Sequence, residues 1–165
     1  MATPGTGKKA PSIEAPTLDG KKFSLDEARK QAPVLVAFFK VSCPTCQYAF
    51  PFLDRLHRVY PDGRVKVVGV SQDDVSATRD FQKEYGVSFP VALDDMKKYP
   101  ASNAYGLTFV PSFFVVGPDG TVEQSSFGWV KEEFEQLNQR LAKAAGVPPA
   151  AIFKPGEQVA DFKSG

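Results

Sequence analysis

The sequence predicts an α/β fold: a mixed central sheet flanked by helices on both faces, preceded by a small N-terminal β-hairpin extension. Two observations carry this. Continuous apolar runs rich in β-branched and aromatic residues recur at 34–39, 65–71 and 109–116, the pattern of strands buried on both faces. Stretches with helical apolar spacing lie between and after them, at 45–60, 75–85 and 131–145. The order is strand-helix-strand-helix, then strand-strand-helix. It implies one right-handed crossover and a closing hairpin.

Residues 1–9 are small and polar and are expected to form a flexible lead-in. Asp19-Gly20 is a hairpin turn signal between two short strand-like pieces. Ser24 is a candidate cap for a helical turn that follows it. The run 34–39 reads as a central strand. In the next helix Phe50, Leu53, Leu56 and Val59 recur at spacings of three, with Pro51 inside it. A turn is expected at 61–63. The strand 65–71 and the helix 75–85 follow, the latter ended by Gly86. Residues 89–93 read as a short extended piece, and 94–105 as a short helix plus loop. Pro111 interrupts the start of the third strand. The turn 117–120 leads into an antiparallel partner at 121–126. Phe134, Leu137 and Leu141 line one face of the last helix, which Gly146 and Pro148-Pro149 terminate. The tail carries scattered Ile152, Phe153, Val159 and Phe162 and is expected to lie on the surface or be disordered.

The chain has 165 residues, 42 % of them apolar and 24 % charged, with a net charge of +1. These are values of an ordinary single globular domain. No basic stripe argues for nucleic acid or an anionic membrane. No run approaches the ~20 apolar residues of a membrane span. The N-terminus lacks the apolar core of a signal peptide, so the chain as written reads as cytoplasmic. An exported protein with its signal segment trimmed, periplasmic or extracytoplasmic, would read the same way.

The two cysteines stand three apart in Cys43-Pro44-Thr45-Cys46. A bridge between them closes almost no loop and adds little stability, so chemistry explains the pair better than stapling. The motif lies where a buried strand ends and a helix begins. Cys43 would meet the unpaired N–H groups and positive dipole end of the helix, which favour the nucleophilic thiolate. Cys46, one turn further in, would be shielded and would resolve the mixed disulfide formed at Cys43. Pro44 suits an early helical position. A structural zinc site needs four ligands, and two cysteines with one histidine, His57, are too few. Neither a metal nor a bound cofactor is expected.

Residues 105–113, Tyr-Gly-Leu-Thr-Phe-Val-Pro-Ser-Phe, resemble the cis-proline segment of the thioredoxin superfamily. Pro51, eight residues after Cys43, and Gly128, before the last helix, resemble two further family positions. Ala10-Pro11, Leu18-Asp19-Gly20-Lys21, Phe50-Pro51 and the turn 117–120 resemble the redoxin branch, which includes TlpA/ResA-like thioredoxins and the AhpC/TSA peroxiredoxins. The resemblance implies a thioredoxin fold over residues 10–145, a redox domain followed by a tail at 146–165. It implies a cis-Pro111 facing the cysteine pair, Val110 as backbone contact for substrate, and thiol–disulfide exchange with protein substrates. A monomer working with an external redox partner is expected.

Departures from the family pattern bear on mechanism. Ser42 stands where many thioredoxins have Trp. Ala37 and Ala49 occupy the two positions where branches of the family place an acid that serves the second cysteine. Lys40 replaces the Thr with which peroxiredoxins position peroxide. Thiol peroxidase chemistry is therefore the alternative reading, and a non-enzymatic redox-sensing binding module is another. Lys40 and Thr45 are candidates for tuning the Cys43 pKa, Lys40 by charge and Thr45 by hydrogen bonding to the sulfur or merely by capping. Phe109 and Phe39 are candidates for an apolar rim around the site. His57 reads as a solvent-facing helix residue, Trp129 as packed near the last helix, and Asp73-Asp74 and Asp94-Asp95 as cap and turn residues.

Overall fold

The computed structural model describes residues 2–60 and 62–165. It contains β1 (Glu14–Pro16), β2 (Lys22–Ser24), α1 (Leu25–Ala28), β3 (Val34–Phe39), α2 (Pro44–Val59), β4 (Lys66–Ser71) and α3 (Val75–Glu84). β5 (Val91–Leu93), α4 (Pro100–Ala104), β6 (Ser112–Val116), β7 (Val122–Phe127), β8 (Trp129–Val130), α5 (Lys131–Ala145) and β9 (Phe162–Lys163) complete it. The expected turn at 61–63 begins at Pro61, outside the described residues. Asp62 and Gly63 both have positive φ.

The main sheet has the order β5-β4-β3-β6-β7. β3, β4 and β5 run parallel, while β6 is antiparallel to β3 and to β7. β3 takes the centre because all six of its residues are apolar and can be buried on both faces. β7 alternates buried and half-buried positions, as suits a strand with one face less covered. The short extended piece at 89–93 supplies a third parallel strand, so there are two parallel crossovers where the pattern implied one. Three residues carry too little periodicity to announce a sheet strand.

The end of the lead-in pairs with the sheet. Gly7 and Ala10 donate to the Val122 and Gly120 carbonyls at 2.8 Å each, and Val122 donates to Lys8 at 2.8 Å. This segment thus lies along the outer edge at β7, supplying partners to an otherwise open edge. Its polar composition hid the pairing, because backbone groups do the bonding. The β1–β2 hairpin forms around Gly20 as expected, and Ser24 caps α1 by accepting from the Glu27 N–H.

The core is built on phenylalanine. Phe38 lies 5.0 Å from Tyr105 and 6.0 Å from Phe114, ring centre to ring centre. Phe50 packs against Phe39 and Phe89 at 4.4 and 5.7 Å. Trp129 is fully buried between Phe52 and Phe134, both 5.1 Å away, as its place before the last helix suggested. His57 is not solvent-facing. It is half-buried, its ring edge-on to Phe89 at 6.0 Å, and its Nδ1 is buried without a hydrogen-bond partner among the described residues. Burial lowers its pKa, which favours the neutral imidazole.

The tail lies along the surface, the first of the two expected outcomes, and is anchored at several points. Ile152 is buried, and Phe153 packs against Phe52, Trp129 and Phe134. Arg55 holds Glu157 through two bonds of 2.7 and 2.8 Å. Trp129 Nε1 donates to the Ala160 carbonyl at 2.7 Å, and Ala160 N–H donates to Tyr48 Oη at 2.9 Å. Residues 162–163 then pair antiparallel with β8.

Phe114 is fully buried at the centre of β6 against Phe38 and Tyr105. Phe114→Ala should therefore lower unfolding stability by about 3–5 kcal/mol, read as a shift of the denaturant midpoint at unchanged slope. A loss below about 1 kcal/mol would contradict this packing.

Candidate active site

β3 ends at Phe39, and after four connecting residues, 40–43, the chain enters α2. The connection is pinned from both sides. Val41 N–H donates to Asp73 Oδ2 at 2.8 Å, and the Val41 carbonyl accepts from Gln47 Nε2 at 2.9 Å. Cys43 N–H closes the turn onto the Lys40 carbonyl at 3.2 Å. Cys43 is the N-cap of α2 and Pro44 its first residue, where the missing proline N–H costs nothing.

The Cys43 sulfur does the work that a serine or aspartate oxygen does at other helix starts. It accepts the Cys46 N–H at 3.1 Å. In its thiol form it also donates to the Val110 carbonyl at 3.6 Å. Its pKa falls to about 6, chiefly because the Cys46 side chain hydrogen-bonds to it. The backbone N–H groups of Cys46 and Thr45 and the Lys40 charge act in the same direction, against burial. Both thiols are free, Cys43 half-buried and Cys46 buried. Burial, above all, pushes the Cys46 thiol strongly up, and Cys43 adds to it. The pair is therefore asymmetric: one accessible thiol poised as thiolate, one enclosed thiol held protonated.

The Val110–Pro111 peptide bond is cis. Ser112 Oγ donates to the Phe109 carbonyl at 2.9 Å, and Gly128 N–H to the Pro111 carbonyl at 2.9 Å, fixing the loop from both ends. Phe109 is 45 % exposed beside it. Val110, Pro111 and Phe109 thus assemble next to Cys43.

Other expected residues fall elsewhere. Phe39 forms no rim. It is 1 % exposed and locked between Phe50 and Phe81, because the last residue of a central strand still has core on its side of the sheet. The Thr45 hydroxyl neither caps nor touches the Cys43 sulfur. It donates to the Ser164 carbonyl at 2.5 Å, so only its backbone N–H bears on Cys43. Lys40 is exposed and contributes charge. Ala37 and Ala49 are fully buried, and the groups acting on Cys46 are Cys43 and nearby backbone, with no carboxylate. Asp73 and Gln47 escaped sequence reasoning. Asp74 caps α3 as expected, accepting from Ala77 N–H at 2.8 Å, but its neighbour Asp73 holds the motif loop. Asp94 caps α4 through the Ala101 and Ser102 N–H groups at 3.0 and 2.9 Å. Among the described residues no cluster of His, Cys, Asp and Glu could hold a metal ion, and no helix is long and apolar enough to cross a membrane.

Comparison with known proteins agrees with this geometry. The model of the AhpC/TSA family matches residues 6–125. Thiol-disulfide oxidoreductase ResA of Bacillus anthracis is 30 % identical over 138 residues, covering 83 % of this chain and 77 % of that protein. The MTB protein dsbF, in mixed oxidized and reduced forms, superposes with a TM-score of 0.68 at 28 % identity, covering 80 % of this chain and 94 % of that one. The thioredoxin domain of thiol-disulfide oxidoreductase BVU-2223 from Bacteroides vulgatus shares the fold with a TM-score of 0.74 at 22 % identity, covering 82 % of this chain and 97 % of that one.

The burial difference makes a labelling prediction. Limiting iodoacetamide on the reduced protein at neutral pH should modify Cys43 first and leave Cys46 free, as read by peptide mass mapping. Preferential modification of Cys46 would contradict the asymmetry.

Proposed function

The chain belongs to the AhpC/TSA family, and we propose that this thiol-disulfide oxidoreductase works through Cys43 as nucleophile and Cys46 as resolving thiol. The observation that carries the reading is the Cys43 sulfur, held as an N-cap acceptor 3.1 Å from the Cys46 N–H and facing the Val110 loop. In the reducing direction the Cys43 thiolate attacks a substrate disulfide. A Cys43–substrate S–S bond forms, the substrate S–S bond breaks, and one substrate sulfur leaves as thiolate. Cys46 then attacks Cys43 Sγ. The Cys43–Cys46 disulfide forms, the second substrate sulfur leaves, and the Cys46 proton goes to a departing thiolate. Two electrons pass from the pair to the substrate. The reverse sequence oxidises a substrate dithiol.

With Ala37 and Ala49 where an acid would stand, a released substrate thiolate is the base at hand for the Cys46 proton. Val110, Pro111 and Phe109 form the docking surface, in which backbone polar groups and an exposed ring suit an extended protein segment. We assign this chemistry to residues 10–145, acting as a monomer on protein thiols and disulfides and re-set by an external redox partner. Lys40 at the peroxide-positioning place supports disulfide exchange over peroxide reduction.

Under this reading Cys46→Ser should accumulate a mixed disulfide with a protein substrate, because attack by Cys43 survives and resolution does not. Cys43→Ser should accumulate none. Non-reducing electrophoresis with mass identification checks this, and trapping by Cys43→Ser instead would reverse the roles.

A further inference from the structure

The last five residues, all exposed, lie against the groove beside Cys43 and are held there by three independent contacts. First, Trp129 and Val130 of β8 pair antiparallel with Lys163 and Phe162, and Lys131 N–H donates to the Asp161 carbonyl at 3.0 Å. Second, the hydroxyl of Thr45, two residues after Cys43, donates to the Ser164 carbonyl at 2.5 Å. Third, Gly165 sits against the loop before Pro111. A Cβ there would lie 2.7 Å from the Val110 carbonyl oxygen and 2.7 Å from the Phe109 ring. That carbonyl is the one facing the Cys43 sulfur.

The fit also depends on a residue of the fold itself. Gly128 has φ +69°, and a Cβ on it would lie 2.7 Å from the Lys163 carbonyl and 3.0 Å from the Gly165 nitrogen. The backbone of the tail therefore passes where a side chain at 128 would stand. Further back the tail is tethered by the Arg55–Glu157 pair and the Trp129–Ala160 bond. Residues 161–165 are exposed and held by a two-residue ladder and a few single contacts, so they can lift while the tether holds.

We infer that residues 161–165 are a built-in occupant of the peptide groove: an extended, disulfide-bearing peptide docks by displacing them and adding its own strand to β8 beside Cys43. The inference rests on the reading of Val110 and Phe109 as docking surface. It follows that the tail discriminates among substrates. A peptide must compete with it for β8 and for the Val110 loop, whereas a small disulfide needs only the Cys43 sulfur. The strand edge of β8, once vacated, offers main-chain groups to any extended sequence.

The test uses the full chain with Lys163→Pro and Gly165→Val combined. The first removes a backbone N–H from the ladder, and the second places a side chain against Val110. Turnover of an extended disulfide-bearing peptide, relative to hydroxyethyl disulfide, should rise by about fivefold, the weight of one net hydrogen bond. A second arm keeps the wild type. A redox-inert version of the peptide, with serine for cysteine, should speed amide exchange at Lys163, which leaves its ladder with Trp129 when the tail is displaced. An unchanged or lowered peptide-to-small-disulfide ratio, or peptide binding with Lys163 exchange unchanged, overturns the inference and leaves the exchange chemistry standing. A wild type that turns over neither disulfide overturns the functional reading, and this inference with it.

Discussion

The hydrogen bond from the Cys46 N–H to the Cys43 sulfur, at 3.1 Å, is the contact on which the chemistry of this molecule depends. It exists only if a helix starts at that sulfur, and the helix starts there because β3 delivers the chain to the sheet end and Pro44 turns it. The buried strand, the cap and the proline are one device. Asp73 and Gln47 keep the device in register by gripping Val41 from β4's end and from within α2. The sulfur stands in for the usual capping oxygen, and because a thiolate is the better acceptor, the cap itself favours ionisation.

A single geometric arrangement also separates the two cysteines. Placed one turn apart at the start of α2, Cys43 as its N-cap and Cys46 within it, they have the same chemistry and opposite surroundings. Hydrogen bonding from Cys46 lowers the Cys43 pKa and raises its own, so the pair shares one ionisation, and burial decides that it belongs to Cys43. The absence of an acid at Ala37 and Ala49 leaves that division undisturbed in the reduced state.

Much of this was legible because the relevant signals are local. The central strand could be read from six consecutive apolar residues, α2 from its spacing, and the unequal burial of Cys43 and Cys46 from adjacency of strand, motif and helix. Contacts made by backbone were not legible. The lead-in at 7–10 and the tail at 162–163 pair through N–H and C=O groups that every sequence carries, so their polar or mixed composition said nothing about pairing. The misplaced side chains share a cause. Sequence neighbourhood suggests one setting for Phe39, Thr45 and His57, whereas their surroundings come from Phe81, Ser164 and Phe89, which are distant in the chain. Asp73 is the same case in reverse: its place beside a capping aspartate was visible, but its bond to Val41 spans 32 residues.

The central claim is that the start of α2 holds one thiol of the pair as a thiolate. A pKa depressed from the ordinary thiol range to about 6 means that the thiolate is lost only as pH falls through about 6. Ultraviolet thiolate absorbance of the reduced protein, followed across pH, measures this directly. The account predicts one thiol titrating near pH 6, absent in Cys43→Ala, and no second titration until well above the ordinary thiol range. Two thiols titrating together near the ordinary value would contradict it.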